Sequence, residues 1–294
     1  MTSSPSLLLI IYCVAIAAFS LAGGLLPHWV KMTHTRTQLI MSFVSGLMLG
    51  VAFYHLLPHS VALGDSPGAV DVSVWWLMLG LIVMFMLLRM FHFHQHDFSS
   101  EEVTHLDHEH PHHGHPRDHS HTHAHGNPVH RLSWIGVALG LALHTLIDGV
   151  ALGAVMQGEI VEGAGAGLLG VGVFLAILLH KPLDALSITS LMDAGGWSPG
   201  ARTTANVVFA LMCPLGALLF FFGVDALLDS RNHVVAAALA FSAGTFICIA
   251  LSDLLPEVHF HSHDRGKLTL AFLLGIALAY AMGGIEPAGM HLSH

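Results

Sequence analysis

Two short stretches place a histidine and an aspartate four residues apart: His144 to Asp148 in HTLID, and His180 to Asp184 in HKPLD. On a helix, residues i and i+4 share a face, separated by about 6 Å along the axis. Each pair therefore presents an imidazole nitrogen beside a carboxylate oxygen. Two pairs facing each other would make a donor set of two nitrogens and two oxygens. Zn²⁺ takes such donors at about 2.0–2.2 Å, usually four at a time. The two carboxylates would cancel the charge of a divalent ion. A lone His–Asp pair is as readily a hydrogen bond between helices, but two matching pairs on adjacent segments are harder to assign to packing.

Both pairs lie inside apolar runs, where ionic groups are costly. An Asp or Lys at the centre of a membrane helix costs about 2.5–3.5 kcal/mol on insertion scales. Asp148, Lys181 and Asp184 together would then cost on the order of 8–10 kcal/mol before pairing, which chains seldom carry without a polar cavity. Pro182 removes a backbone donor and crowds the preceding turn, which predicts a bend beside the second pair. Gly136, Gly140, Gly149, Gly153, Gly170 and Gly172 would let helices approach closely around the pairs.

The elements that must hold these residues follow from composition. The chain has 294 residues, 54% of them hydrophobic and 10% charged, with a mean hydropathy of +0.68. Soluble domains are about 25% charged. A spanning helix needs roughly 20 mainly apolar residues. Eight such runs are predicted, near 7–26, 38–58, 72–91, 132–156, 164–191, 203–224, 234–256 and 267–284. The expected fold is an all-α integral membrane protein of eight transmembrane helices. Its blocks are spans 1–3 (residues 1–91), a loop (92–131), spans 4 and 5 with the metal-capable pairs (132–191), and spans 6–8 (192–294). The start MTSSPS lacks a positive n-region, so the first run is expected to be a retained helix. Cys13, Cys213 and Cys248 fall in apolar runs and read as small buried hydrophobes rather than a disulfide framework. The formal net charge is -9, and no basic cluster suggests nucleic acid.

Lys and Arg set the expected orientation. Lys31, Arg36, Arg89, Arg117, Arg131, Arg202, Arg265 and Lys267 all fall on one side of the eight spans; the opposite loops carry Arg231 with Asp65, Asp71, Glu159 and Glu162. The 92–131 loop is thus expected in the cytoplasm, with both termini outside. Two internal repeats are visible. FVSGLMLGVAFYHLLP (43–58) aligns without a gap on FSAGTFICIALSDLLP (241–256), and HTLIDG (144–149) pairs with HKPLDA (180–185). The repeated segments run in opposite directions across the membrane. This is the plan of inverted repeats, with a site near the midplane.

Further polar residues sit at the ends of these spans. His55 and His59 close span 2, and Asp253 and Glu257 stand at the corresponding places of span 7, as candidate ligands at the two mouths of a pathway. Capping residues would look the same. The 92–131 loop holds fourteen histidines. Those at His110, His112, His113, His115, His119, His121, His123 and His125, interleaved with Gly and Pro, read as a disordered metal-binding segment, a buffer or sensor.

These motifs resemble the Zrt/Irt-like (ZIP) divalent-metal transporter family over most of the chain. The span 4 pattern of that family, His-Asn-x-x-Asp/Glu-Gly, is met at His144, Asp148 and Gly149, and the end of span 7, FSAGTF then LLPEV, is also similar. The resemblance implies helices arranged three, two, three, and a transport site on spans 4 and 5. It also implies movement of metal into the cytoplasm by an elevator-like motion, and a homodimer. Many relatives hold two metals side by side, the second using the Asn after the span 4 His and the acid after the span 5 His. Here those places are Thr145 and Lys181, as in the branch with His-Lys in span 5. An ammonium is no ligand and repels a cation. Lys181 is therefore expected to stand in the second site and pair with Asp184 or Asp148, leaving one metal.

The expected function is import of Zn²⁺, with Fe²⁺, Mn²⁺ or Cd²⁺ as further substrates, across the cell membrane and without an organic cofactor or enzymatic activity. Two alternatives use the same residues. A cation-diffusion exporter also pairs His-x-x-x-Asp motifs with His-rich loops, but usually with six spans and a soluble C-terminal domain. An intramembrane zinc hydrolase would use two His and an Asp, yet HExxH is absent.

Overall fold

The computed structural model describes residues 4–25, 34–64, 67–92, 129–161, 169–227, 230–260 and 265–283. The His-rich residues 110–125 lie outside the described residues, as do the side chains of Asp253 and Glu257. Nine α-helices are found among the described residues: α1 (Pro5–Leu25), α2 (His34–Val51), α3 (Leu57–Ala62), α4 (Ala69–His92), α5 (Val129–Val161), α6 (Val171–Ala194), α7 (Pro199–Gly223), α8 (Arg231–Phe260) and α9 (Arg265–Gly283). A π turn, Ala52–Leu56, joins α2 to α3, so those two form one span. Among the described residues, eight helices are long and apolar enough to cross a membrane. They stand where the eight apolar runs of the sequence predict them.

The π turn has a local cause. Pro58 lacks an N–H and would crowd the carbonyl of Tyr54 in a regular helix. Widening the preceding turn relieves this, and Leu57 N–H reaches back to Ala52 O. The wider turn carries His55 into the interior, where its Nε2 donates to Ala279 O of α9 at 2.8 Å. The second proline is handled differently: α6 continues as one helix through Pro182.

The helices pack as two sets of four spans. In one set α2 lies along α9, α4 along α8, and α2 against α8; in the other α5 lies along α7, while α1 packs on α6 and α7. The sets meet mainly where α8 and α4 pack on α5 and where α2 crosses α6. Exchanging span 1 with 6, 2 with 7, 3 with 8 and 4 with 5 maps these pairings onto one another, as the sequence repeats require.

Glycines seal the crossings inside each set. A Cβ on Gly46 would collide with Phe272 O, and one on Gly275 with Phe43 O, where α2 meets α9. Where α4 meets α8, Gly244 abuts Leu77 O and Gly80 abuts Phe241 O in the same way. Phe43 and Gly46 are the aligned counterparts of Phe241 and Gly244, so the sequence repeat encodes one crossing used twice. Gly149 and Gly216 do the same for α5 and α7, and Gly23 sits directly on the Pro182 backbone between α1 and α6. Between the sets, glycines meet side chains instead: Gly158 faces Leu239, and Gly172 faces the His55 ring. Without a hydrophobic drive between helices in lipid, such close backbone approach is a main source of cohesion.

Candidate metal centre

The two His–Asp pairs converge where α5 meets α6. Ligand atoms of His144, Asp148, His180 and Asp184 all lie within 4.8 Å of one another. His144 Nε2 is 3.4 Å from both Asp148 Oδ2 and Asp184 Oδ2. His180 Nε2 is 3.2 Å from Asp148 Oδ2 and 3.8 Å from Asp184 Oδ2. Tetrahedral donors about 2.0–2.1 Å from a zinc ion stand about 3.3–3.4 Å apart. The four His–Asp separations lie near that edge and the remaining two are within 4.8 Å, so the four side chains are close enough to converge on one small cation. Asp148 is fully buried, while Asp184 is 21% exposed and marks the open side of the site.

Helix register explains the convergence. Four-residue spacing puts each pair on one face, and the glycines around α5 let it approach its neighbours closely. His180 is further fixed by its own helix: Nδ1 donates to Ala176 O at 2.8 Å, which turns Nε2 toward the carboxylates. His144 Nδ1 has no hydrogen-bond partner among the described residues.

Lys181 lies beside the four. At 1% exposure it is among the largest fully buried side chains. Its Nζ donates to Asp148 Oδ2, to Asp184 Oδ2 at 3.2 Å and to Thr145 Oγ1 at 3.2 Å. Phe209 of α7 closes the remaining side, with its ring centroid 5.6 Å from Nζ. The ammonium therefore contacts both carboxylates at once, with the residue after each motif histidine, Thr145 and Lys181, touching its counterpart.

His55 and His59 stand apart from this cluster. His55 is buried against α9 and Gly172, and His59 is buried one turn further on. Asp253 and Glu257 fall within α8, which runs to Phe260. Three polar groups without a role in the sequence motifs have structural ones. Glu159 accepts the Gly170 N–H on both carboxylate oxygens at 3.0 Å, tying the end of α5 to the start of α6. Gly170 is in the left-handed region, φ 64°, where glycine is favoured. Gln157 and Asn206 are buried amides bonded to the carbonyls of Phe221 and Leu21. Only their interruption of apolar runs could have flagged them.

Comparison with known proteins gives a consistent picture. The family model described as ZIP Zinc transporter matches residues 6–283. The chain is 32% identical to Zinc transporter ZIP9-B of Xenopus laevis over 171 residues, covering 55% of this chain and 54% of that protein. It is 31% identical to Zinc transporter zipt-7.2 of Caenorhabditis elegans over 280 residues, covering 85% of this chain and 58% of the relative. Zinc transporter ZIP1 of Takifugu rubripes is 28% identical over 137 residues, 46% of this chain and 42% of that protein. The chain spans about half the length of the curated relatives it matches.

Proposed function

The chain belongs to the ZIP zinc transporter family, and from that premise we propose that it carries a divalent transition metal, zinc first, across a membrane into the cytoplasm through one site between α5 and α6. The observation that carries the reading is the convergence of two imidazole nitrogens and two carboxylate oxygens within 4.8 Å of one another. Fe²⁺, Mn²⁺ and Cd²⁺ are further substrates of the same donor set. The relatives named above are zinc transporters by name, which favours transport over the hydrolase reading, and eight candidate spans favour this reading over a cation-diffusion exporter, which usually has six.

The site holds one ion because Lys181 fills the second position. With two carboxylates and one ammonium ionised, the empty site carries a charge of -1, and a divalent ion makes it +1. Without the lysine these charges would be -2 and 0. The lysine thus removes the electrostatic trap that two uncompensated carboxylates would set, and binding stays weak enough for release. His55, His59, Asp253 and Glu257 remain candidates for the mouths of the pathway, and His110 to His125 for a cytoplasmic metal buffer.

Movement is elevator-like: the set α1, α5, α6 and α7 travels as a body against α2, α4, α8 and α9. The glycine crossings inside each set and the side-chain contacts between them support this division. The distribution of Lys and Arg supports a cytoplasmic 92–131 loop with both termini outside, in the cell membrane. The family resemblance supports a homodimer.

The test is ⁶⁵Zn uptake by proteoliposomes, comparing the parent with His180→Ala and Lys181→Glu under competing ions, with a count of bound ions. The parent accumulates metal with one ion per chain, His180→Ala loses uptake, and Lys181→Glu binds two. Anomalous scattering that still shows one ion in Lys181→Glu sinks the single-site explanation. Binding without accumulation by the parent sinks transport.

A further inference from the structure

Three polar side chains meet where α5 ends and α8 begins. Gln157 of α5 is 1% exposed, and its Nε2 donates to Phe221 O of α7 at 2.6 Å. The same nitrogen lies 3.4 Å from Asp225 Oδ1, just beyond α7. Its carbonyl oxygen accepts from Arg231 Nη2, and Arg231 Nε lies 3.6 Å from Asp225 Oδ1. Gln157 and Asp225 belong to the set that carries the His–Asp cluster. Arg231 opens α8, in the other set. The amide of Gln157 is therefore bonded through its nitrogen to its own set and through its oxygen to the other. By contrast, the interhelical side-chain bonds from His55 to Ala279 O, Asn206 to Leu21 O and Lys181 to Thr145 each stay inside one set.

The chemistry of this contact suits something that opens. A buried ion pair would be hard to break, because separation leaves an unpaired charge. Here the buried partner is neutral. When Arg231 leaves, Gln157 keeps its bond to Phe221 O and loses only an accepted one. The charged partners are partly exposed, with side-chain exposures of 32% for Arg231 and 55% for Asp225, although the Arg231 Nε that faces Asp225 is buried and makes no hydrogen bond among the described residues. Water replaces their contact at small cost. Beside it the sets touch through Leu239 and Val235 against Gly158, side chains on a residue with none.

We propose that Arg231, Gln157 and Asp225 form a releasable latch between the two four-span sets, holding the α5–α8 end of the site shut until the metal-bearing set moves. The inference rests on the two-set reading above. It assigns Arg231 and Gln157 as positioning residues that act through α5 and touch no metal.

The experiment places one cysteine, Leu239→Cys, at the buried contact with Gly158, in a background with Cys13, Cys213 and Cys248 replaced. Its labelling by a water-soluble maleimide in open membranes reports opening of this end. Gln157→Leu and Arg231→Leu should each speed labelling roughly three- to tenfold, the scale of one charge-assisted hydrogen bond discounted for exposure. The double variant should be no faster than either single one, because they break the same contact. Arg231→Lys should label at close to the parent rate. Unchanged labelling in both leucine variants, or effects that multiply in the double variant, would overturn the latch. Uptake of Zn²⁺ separates the latch from its premise. Bridging Gln157→Cys to Arg231→Cys with a short bifunctional thiol reagent should arrest uptake. Uptake that persists when bridged refutes motion between the two sets. Arrest without any leucine effect on labelling refutes the latch alone.

Discussion

The two halves of the metal cluster come from matching motifs and end in different conditions. On α5, His144 has an unpartnered Nδ1, Asp148 is fully buried, and the residue between them that faces the cluster is Thr145. On α6, His180 is held by the Ala176 carbonyl, Asp184 is partly exposed, and the corresponding residue is Lys181. The repeat thus supplies symmetric candidate ligands and asymmetric support. The α6 half brings a fixed imidazole and a positive charge. The α5 half brings the buried carboxylate that makes that charge tolerable. In the one-ion reading proposed above, this asymmetry is what distinguishes two copies of one motif from a two-ion site.

Removing the buried carboxylate should break this balance most severely. Asp148→Ala leaves the Lys181 ammonium buried beside Asp184 alone, and breaking a buried pair costs about 3–5 kcal/mol. The variant should unfold at lower denaturant in micelles and lose uptake. Asp148→Ala with Lys181→Met should recover most of the stability without recovering uptake. Equal stability of Asp148→Ala and the parent would mean that Lys181 does not depend on the α5 half. A smaller effect separates the two histidines. Partners that orient a ligating imidazole are worth about 10–100-fold in metal affinity. Among the described residues, His180 has one and His144 does not. His180→Ala should therefore lower Zn²⁺ affinity about tenfold more than His144→Ala, by isothermal titration of the purified protein. Equal losses would mean that the Ala176 carbonyl does not orient His180.

The parts legible in the sequence were those written in local spacing. Eight apolar runs gave eight helices, and i,i+4 spacing gave each His–Asp face. The aligned FVSG and FSAG segments anticipated the matching crossings at Gly46 and Gly244. Features made by distant contacts were not legible. Gln157, Asp225 and Arg231 are 74 residues apart at their extremes and carry no shared motif. His55 reads as the end of a span, but the π turn forced by Pro58 folds it inward. The three, two, three order implied by family resemblance follows the chain. Helix contacts group the spans four and four, a grouping of neighbours rather than of chain order, because glycine-to-carbonyl contact is decided by which helices cross.

The finest test of the two halves concerns Thr145, the α5 counterpart of Lys181. Its hydroxyl accepts one of the three hydrogen bonds from Nζ. Thr145→Val keeps the shape and removes that acceptor, a change worth about 0.5–1.5 kcal/mol. The ammonium then leans wholly on Asp148 and Asp184, the two carboxylates of the proposed metal site. It should compete harder for them, so Zn²⁺ affinity should fall less than tenfold while fold stability drops slightly. Thr145→Val in the Lys181→Met background should change neither quantity, because the hydroxyl then has no ammonium to hold. A loss of affinity that persists in that background would make Thr145 a direct neighbour of the ion, and the second position would then be shared between metal and lysine.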